Sequence, residues 1–139
     1  MIKTHLTGGC LCGEVRYEAN ESVMFSVVCH CRMCQQWTGS SMLGTAAFSR
    51  EAVSFTKGTP KLHCSSSVCE RGFCSRCGSS LFTRYYSGGA FDTVIFIGLG
   101  TLDNPDLGQP DMHYGAEGEL SWMHHDDGIP RIWIDVDDP

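Results

Sequence analysis

Charge is scarce in this chain, and long apolar runs are absent. Asp, Glu, Lys and Arg make up 19% of the 139 residues, against about 25% in an average soluble domain. With 42% hydrophobic residues, that balance excludes a chain kept disordered by charge and supplies a core for one domain over 1–139. The longest clearly apolar stretch, Val94 to Leu99, is far short of the ~20 residues a membrane helix needs. The stretch Met1 to Gly9 lacks the apolar centre of a secretory signal. Positive charge is nearly missing from the last part of the chain. Residues 85–139 carry one base, Arg131, and eleven acids, while residues 1–84 carry nine bases and five acids. The remaining bases are scattered, which argues against nucleic acid as a partner. These absences lead to the expectation of a soluble cytoplasmic protein with no membrane partner.

Helical periodicity is also rare. One short turn is expected over Arg32 to Trp37; the rest reads as strands between glycine-rich turns. Glu14 to Glu18 alternates, with Val15 and Tyr17 on one face. Met24–Val28, Ser41–Phe48, Val53–Lys57, Ser80–Tyr86 and Thr93–Ile97 are short runs bounded by turn residues. Arg131 to Val136 alternates again, with Ile132, Ile134 and Val136 on one face. Many short strands of this kind predict an all-β sandwich or barrel-like core.

What the chain does have is cysteine, nine in all. An odd number and tight clustering fit metal ligation in a reduced compartment better than a disulfide scaffold. Cys74-Ser75-Arg76-Cys77-Gly78 is a C-x-x-C-G knuckle, in which both sulfurs can face one ion and the glycine takes the backbone angle of the turn. A closed tetrahedral site needs two more sulfurs, and by spacing either Cys10 with Cys12 or Cys31 with Cys34 would serve. Cys29, Cys31 and Cys34 form a group of three. Three thiolates on zinc leave one position open, as catalytic sites do. Seven thiolates and two zinc ions would carry the chain from a formal −6 to about −9. Cys64 and Cys69 read as bystanders, with a redox pair or an extra ligand as the alternative. His30, inside the triple cluster, reads as a support behind the ligands, and His124-His125-Asp126-Asp127 as a polar loop.

Together these motifs resemble a known family. Gly9-Cys10-Leu11-Cys12-Gly13, Cys29-His30-Cys31-x-x-Cys34 and Arg71-Gly72-Phe73-Cys74-x-x-Cys77-Gly78 look like the glutathione-dependent formaldehyde-activating enzyme and centromere protein V family. Thr38-Gly39-Ser40, Gly100 to Pro105, Pro110-x-x-His113, and Trp122 followed by Asp126 to Pro130 keep the family order across nearly the whole chain. The resemblance implies a β-tent fold of packed antiparallel sheets with zinc-stabilised loops. It also implies a structural zinc on Cys10, Cys12, Cys74 and Cys77, and a second zinc on Cys29, Cys31 and Cys34 with a place for a thiol. The implied activity is that of a carbon–sulfur lyase joining glutathione and formaldehyde as S-hydroxymethylglutathione. A small-molecule thiol and an aldehyde would be its partners.

For the alkoxide that develops on the aldehyde, backbone N–H groups or a hydroxyl of Thr38-Gly39-Ser40 are the expected donors. Many family members carry bases where this chain has Gln35-Gln36-Trp37, so Arg32 or Arg76 would have to meet the carboxylates of glutathione. Trp37 reads either as the apolar mouth of the pocket or as a packing residue under the zinc loop. The alternative to an enzyme is a zinc-stabilised thiol-binding module without turnover. A type-B methionine sulfoxide reductase is excluded by its need for a reactive cysteine outside the ligand sets, a context neither Cys64 nor Cys69 offers.

Overall fold

A computed structural model describes residues 5–123 and 126–134. Most of its strands fall where the apolar runs lie. They are β1 (Leu6–Gly9), β2 (Arg16–Ala19), β3 (Phe25–Cys29), β4 (Leu43–Ser49), β5 (Val53–Lys57), β6 (Lys61–Cys64), β7 (Cys69–Phe73), β8 (Ser80–Tyr85), β9 (Val94–Gly98), β10 (Met112–Tyr114) and β11 (Arg131–Ile132). The α-helix among the described residues is α1 (Arg32–Thr38), and several single 3-10 turns join the later strands. None of these helices is long and apolar enough to cross a membrane.

The strands form two sheets, a small one in the order β1-β2-β5 and a large one in the order β11-β10-β3-β4-β9-β8-β7-β6. Val15 and Tyr17, predicted to share a buried face, are each 1% exposed. They join Leu6 and Ala19 against Ala46, Phe48, Ile95, Ile97 and Phe82 of the large sheet. The core is therefore a sheet-on-sheet layer, with alternate residues of each strand contributing to it. The pairing is antiparallel from β3 to β6, but β10 runs parallel to both β3 and β11. The expected strand at Arg131 to Val136 is described as two residues at the sheet edge, with Ile132 exposed rather than facing inward. Edge strands have a neighbour on one side only, so alternation there does not fix which face is covered. Residues 135 and 136 lie outside the described residues.

The second face of the large sheet bears on the site. Cross-strand partners share a face, and the register Phe25↔Ala47↔Phe96↔Thr83↔Arg71 runs across five strands. Cys29, four residues after Phe25, and Cys69 with its partner Tyr85 lie on the same face. That face looks away from the core shared with the small sheet. The chain leaves β3 at Cys29 and turns into α1, which lays Trp37 over Arg71.

Candidate metal centres

The first centre is built by two turns from distant parts of the chain. Cys10 and Cys12 lie between β1 and β2, and Cys74 and Cys77 follow β7. Their four sulfurs lie within 4.8 Å of one another. Cys10 Sγ is 3.6 Å from Cys12 Sγ, and Cys12 Sγ is 3.9 Å from Cys74 Sγ. Zn–S bonds of about 2.3 Å in a tetrahedron demand sulfur separations of about 3.8 Å, so the set fits such an ion. Spacing alone left the knuckle's partner open; the fold supplies Cys10 and Cys12. Gly78 has φ +78°, a left-handed angle that lets its N–H return to the Cys74 carbonyl at 2.8 Å. The Val15 N–H donates to Cys10 Sγ at 3.2 Å. Ser79 Oγ lies 3.2 Å from Cys77 Sγ, and this contact, with backbone N–H donors, pulls the Cys77 thiol down to about 5. The chain thus favours the anionic form at Cys77, while the neighbouring thiols push Cys12 up to about 11.

The second centre gathers Cys29, Cys31 and Cys34, again within 4.8 Å. Among the described residues no fourth His, Cys, Asp or Glu joins them. Cys31 is the N-cap of α1, and its sulfur accepts the Cys34 N–H at 3.4 Å. It also accepts from the Cys29 thiol at 3.4 Å. The thiols of Cys29 and Cys34, with the charge of Arg71 adding, hold Cys31 far below the usual thiol value, while Cys29 is pushed up by sharing with it. One thiolate is stabilised by the chain itself, and the next two need a cation.

Next to Cys29 and Cys31 in the chain, His30 begins a line of polar groups that is buried at its two histidines and reaches the surface at Asp127. His30 and His113 are 0% and 1% exposed, with His30 Nε2 and His113 Nδ1 2.7 Å apart. His113 Nε2 in turn lies 2.7 Å from Asp127 Oδ2. The His30 ring is thereby turned away from the sulfurs, in the supporting role its sequence position suggested. Asp127 takes part, while His124 and His125 lie outside the described residues. Gly118 lets the chain cross closely here, since a Cβ on it would sit 2.3 Å from the His30 carbonyl oxygen.

Gln35 has a different role from the one its position suggested. It is 4% exposed, and its Nε2 lies within 3.0–3.1 Å of the carbonyls of His30, Ser41 and Gly118. Its Oε1 accepts from Arg32 Nη1 at 2.8 Å. The glutamine ties three loops together and fixes an arginine at the mouth of a cleft. That cleft has a volume of about 520 Å³, with Arg32, Gln36, Gly39, Ser40, Leu120 and Trp122 in its lining. Trp37 lies on the opposite side of α1, packed on Arg71, so the aromatic wall of the cleft is Trp122.

Gly39 and Ser40 line the cleft, but their N–H groups are already used, by the Gln35 carbonyl at 2.8 Å and Thr38 Oγ1 at 3.1 Å. The Thr38 hydroxyl donates to the Cys34 carbonyl at 2.8 Å. Arg76 bonds to Glu14 beside the first centre and does not line the cleft. Cys64 and Cys69 do not form a facing pair. Cys64 lies opposite Glu70 in the β6–β7 hairpin, which places it and Cys69 on opposite faces, and strand alternation separates such side chains.

Comparison with known proteins bears on the fold and the family. A solved structure of a Rhodobacter sphaeroides protein superposes with a TM-score of 0.60 over 91% of this chain and 99% of that one, at 18% identity. It shares the fold. A Schizosaccharomyces pombe protein described as an uncharacterized lyase is 32% identical over 81 residues, which is 58% of each chain. The match therefore spans less than two thirds of that relative. The family model of the glutathione-dependent formaldehyde-activating enzymes matches residues 5–117, and the chain belongs to that family.

Proposed function

We propose that this protein is a zinc-dependent enzyme of carbon–sulfur lyase type, acting on an adduct of glutathione or a related thiol with an aldehyde such as formaldehyde. The observation that carries the reading is the contrast between a complete four-sulfur set and a separate three-sulfur set with no fourth ligand among the described residues. A zinc ion at the three-sulfur set would supply thiol deprotonation at neutral pH, where a free thiol of pKa about 8.5 is mostly protonated.

The chain's own residues then do the positioning. Arg32, held by Gln35, presents a cation to a carboxylate of the thiol peptide. The cleft is shallow and open; Leu120 and Trp122 give it an apolar side, and α1, which carries Cys34, supplies Arg32 and Gln36 to its lining, while the three cysteines themselves do not line it. In the synthetic direction a sulfur lone pair forms the C–S bond to the aldehyde carbon. The carbonyl π pair moves to oxygen, which takes a proton from water. Gly39 and Ser40 serve this reading as cleft walls, because their N–H groups are engaged within the loop.

Native mass spectrometry of protein purified without chelator, with glutathione titrated in, tests the proposal alongside the rate of S-hydroxymethylglutathione formation. The expected result is two zinc ions and a glutathione adduct, with adduct and rate enhancement both lost in Cys31→Ser. Two ions with an adduct but no rate enhancement would replace the enzyme with a thiol-binding module. Turnover that survives Cys31→Ser would remove the reaction from this centre.

A further inference from the structure

Arg71 is a permanent cation with which no carboxylate among the described residues is paired. It lies in the middle of β7, 2% exposed. Its Nε donates to Ser65 Oγ at 3.1 Å and its Nη1 to Thr83 Oγ1 at 3.5 Å, both neutral acceptors. Its guanidinium carbon stands 4.9 Å from the centre of the Trp37 ring. The acid next to it, Glu70, pairs with Arg84. Among the described residues no ion pair includes Arg71. A guanidinium stays protonated in proteins, and a buried charge without a partner is strongly destabilising.

The missing negative charge lies on the same side of the sheet. Strand register puts Arg71, Thr83 and Cys29 on one face. From Cys29 the chain turns into α1, whose Trp37 covers Arg71, one helical turn beyond Cys34. Cys34 and Trp37 stand three residues apart on α1 and are neighbours on its surface, so the helix brings the cysteine set toward Arg71. Three thiolates and a divalent ion sum to −1, which one guanidinium balances. The four-cysteine centre carries more negative charge but lies nearer the surface, with Arg76 inside its knuckle. Cys12 is exposed and Cys77 half-buried, so water screens it.

We propose that Arg71 is the built-in counter-charge of the Cys29–Cys31–Cys34 centre, a positioning residue that lets buried thiolates hold a divalent ion there. The proposal rests on reading these cysteines as a metal set and is independent of the aldehyde chemistry. At an effective dielectric of about 20, a unit charge within about 10 Å changes an equilibrium by about tenfold or more.

The test counts zinc by native mass spectrometry during a chelator titration of the parent, R71M and R71K proteins. The four-cysteine ion in the same molecule is the control. R71M should lose the second ion at about tenfold lower chelator concentration, or less, with the first ion retained; R71K should behave nearly as the parent. Equal retention in R71M and parent would overturn the proposal, and so would simultaneous loss of both ions, which marks a purely structural residue. A parent that binds one ion only would sink the metal reading itself, whereas two ions without turnover would sink only the lyase reading.

A second measurement decides the matter if R71M is insoluble. With Cys29, Cys31 and Cys34 all changed to Ser, Arg71 becomes an uncompensated cation. Adding R71M to that background should raise the unfolding temperature, and a fall would overturn the proposal.

Discussion

At the scale of single residues, Gln35 is the clearest case of a side chain whose value lies in what it holds. Replacing it with Leu orphans buried carbonyls and releases Arg32. Each unsatisfied buried group costs about 1–3 kcal/mol, so Gln35→Leu should lower unfolding free energy by about 2 kcal/mol or more in urea titration. Gln36, exposed on the cleft wall, should tolerate the same change within about 0.5 kcal/mol. Equal effects at the two positions would contradict the burial assigned to Gln35. The pair Gln35-Gln36 reads in sequence as a loss of basic recognition. The structure separates the two, because adjacent helical residues do not face the same way.

At the scale of elements, the small sheet is fastened by a charged clamp to the loop that follows β9 of the large one. Asp103 receives both Arg16 and the Thr7 hydroxyl, at 2.6 Å for the latter, and its own N–H returns to the Thr7 carbonyl at 2.9 Å. Arg16, then Thr7, pull the Asp103 carboxyl from 3.8 down to about 2. A carboxyl lowered on folding contributes stability above its unfolded pKa and loses it as pH falls through the folded one. The contribution should therefore be full above about pH 5, fall through the folded pKa near 2, and be gone by about pH 1. The aspartate side chain is 48% exposed, so solvent screening limits it to about 0.2–1 kcal/mol. Asp103→Asn should be less stable than the parent at pH 7 by that amount, the difference closing in acid. A gap that persists at about pH 1 would mean that shape rather than charge holds the clamp.

The helix tells a related story. At seven residues, α1 is too short to persist alone. It stands on the Cys31 N-cap, on Gln35, and on the close crossing at Gly118. Gly118→Ala should loosen α1 and the three-cysteine set together, read as loss of one zinc with the other retained. Retention of both ions would show that the crossing has room to give.

At the scale of the molecule, the two centres have different standing. Zinc binding in small metal-folded peptides is worth about 10–16 kcal/mol, comparable to the whole stability of a domain at about 5–15 kcal/mol. The four-cysteine set joins the β1–β2 turn to the end of β7. Cys74→Ser should therefore abolish soluble folded protein, whereas Cys31→Ser should fold and lose the second ion. Thermal unfolding of both variants against the parent checks this, and equal midpoints would erase the distinction. The cleft, the His30–His113–Asp127 chain and Arg71 also gather residues from distant stretches.

The β class, the strands at Val53–Lys57 and around Phe82 and Ile95, the C-x-x-C-G knuckle and the family were all legible in the residues. These are local matters, set by alternation, turn residues and short spacing. Ligand spacing left the partners of Cys74 and Cys77 open, because it constrains two sulfurs within a turn and says nothing of which turn they meet; the family resemblance implied Cys10 and Cys12, and the tertiary structure brings those four sulfurs together. The fold likewise decided that Trp37 covers an arginine while Trp122 walls the cleft, and that the N–H groups of Gly39 and Ser40 are already spent. It also set Cys64 and Cys69 on opposite faces of a hairpin. Each of those outcomes depends on strand register or helix facing. Register and facing are fixed by contacts between residues far apart in the chain, and no short-range pattern records them.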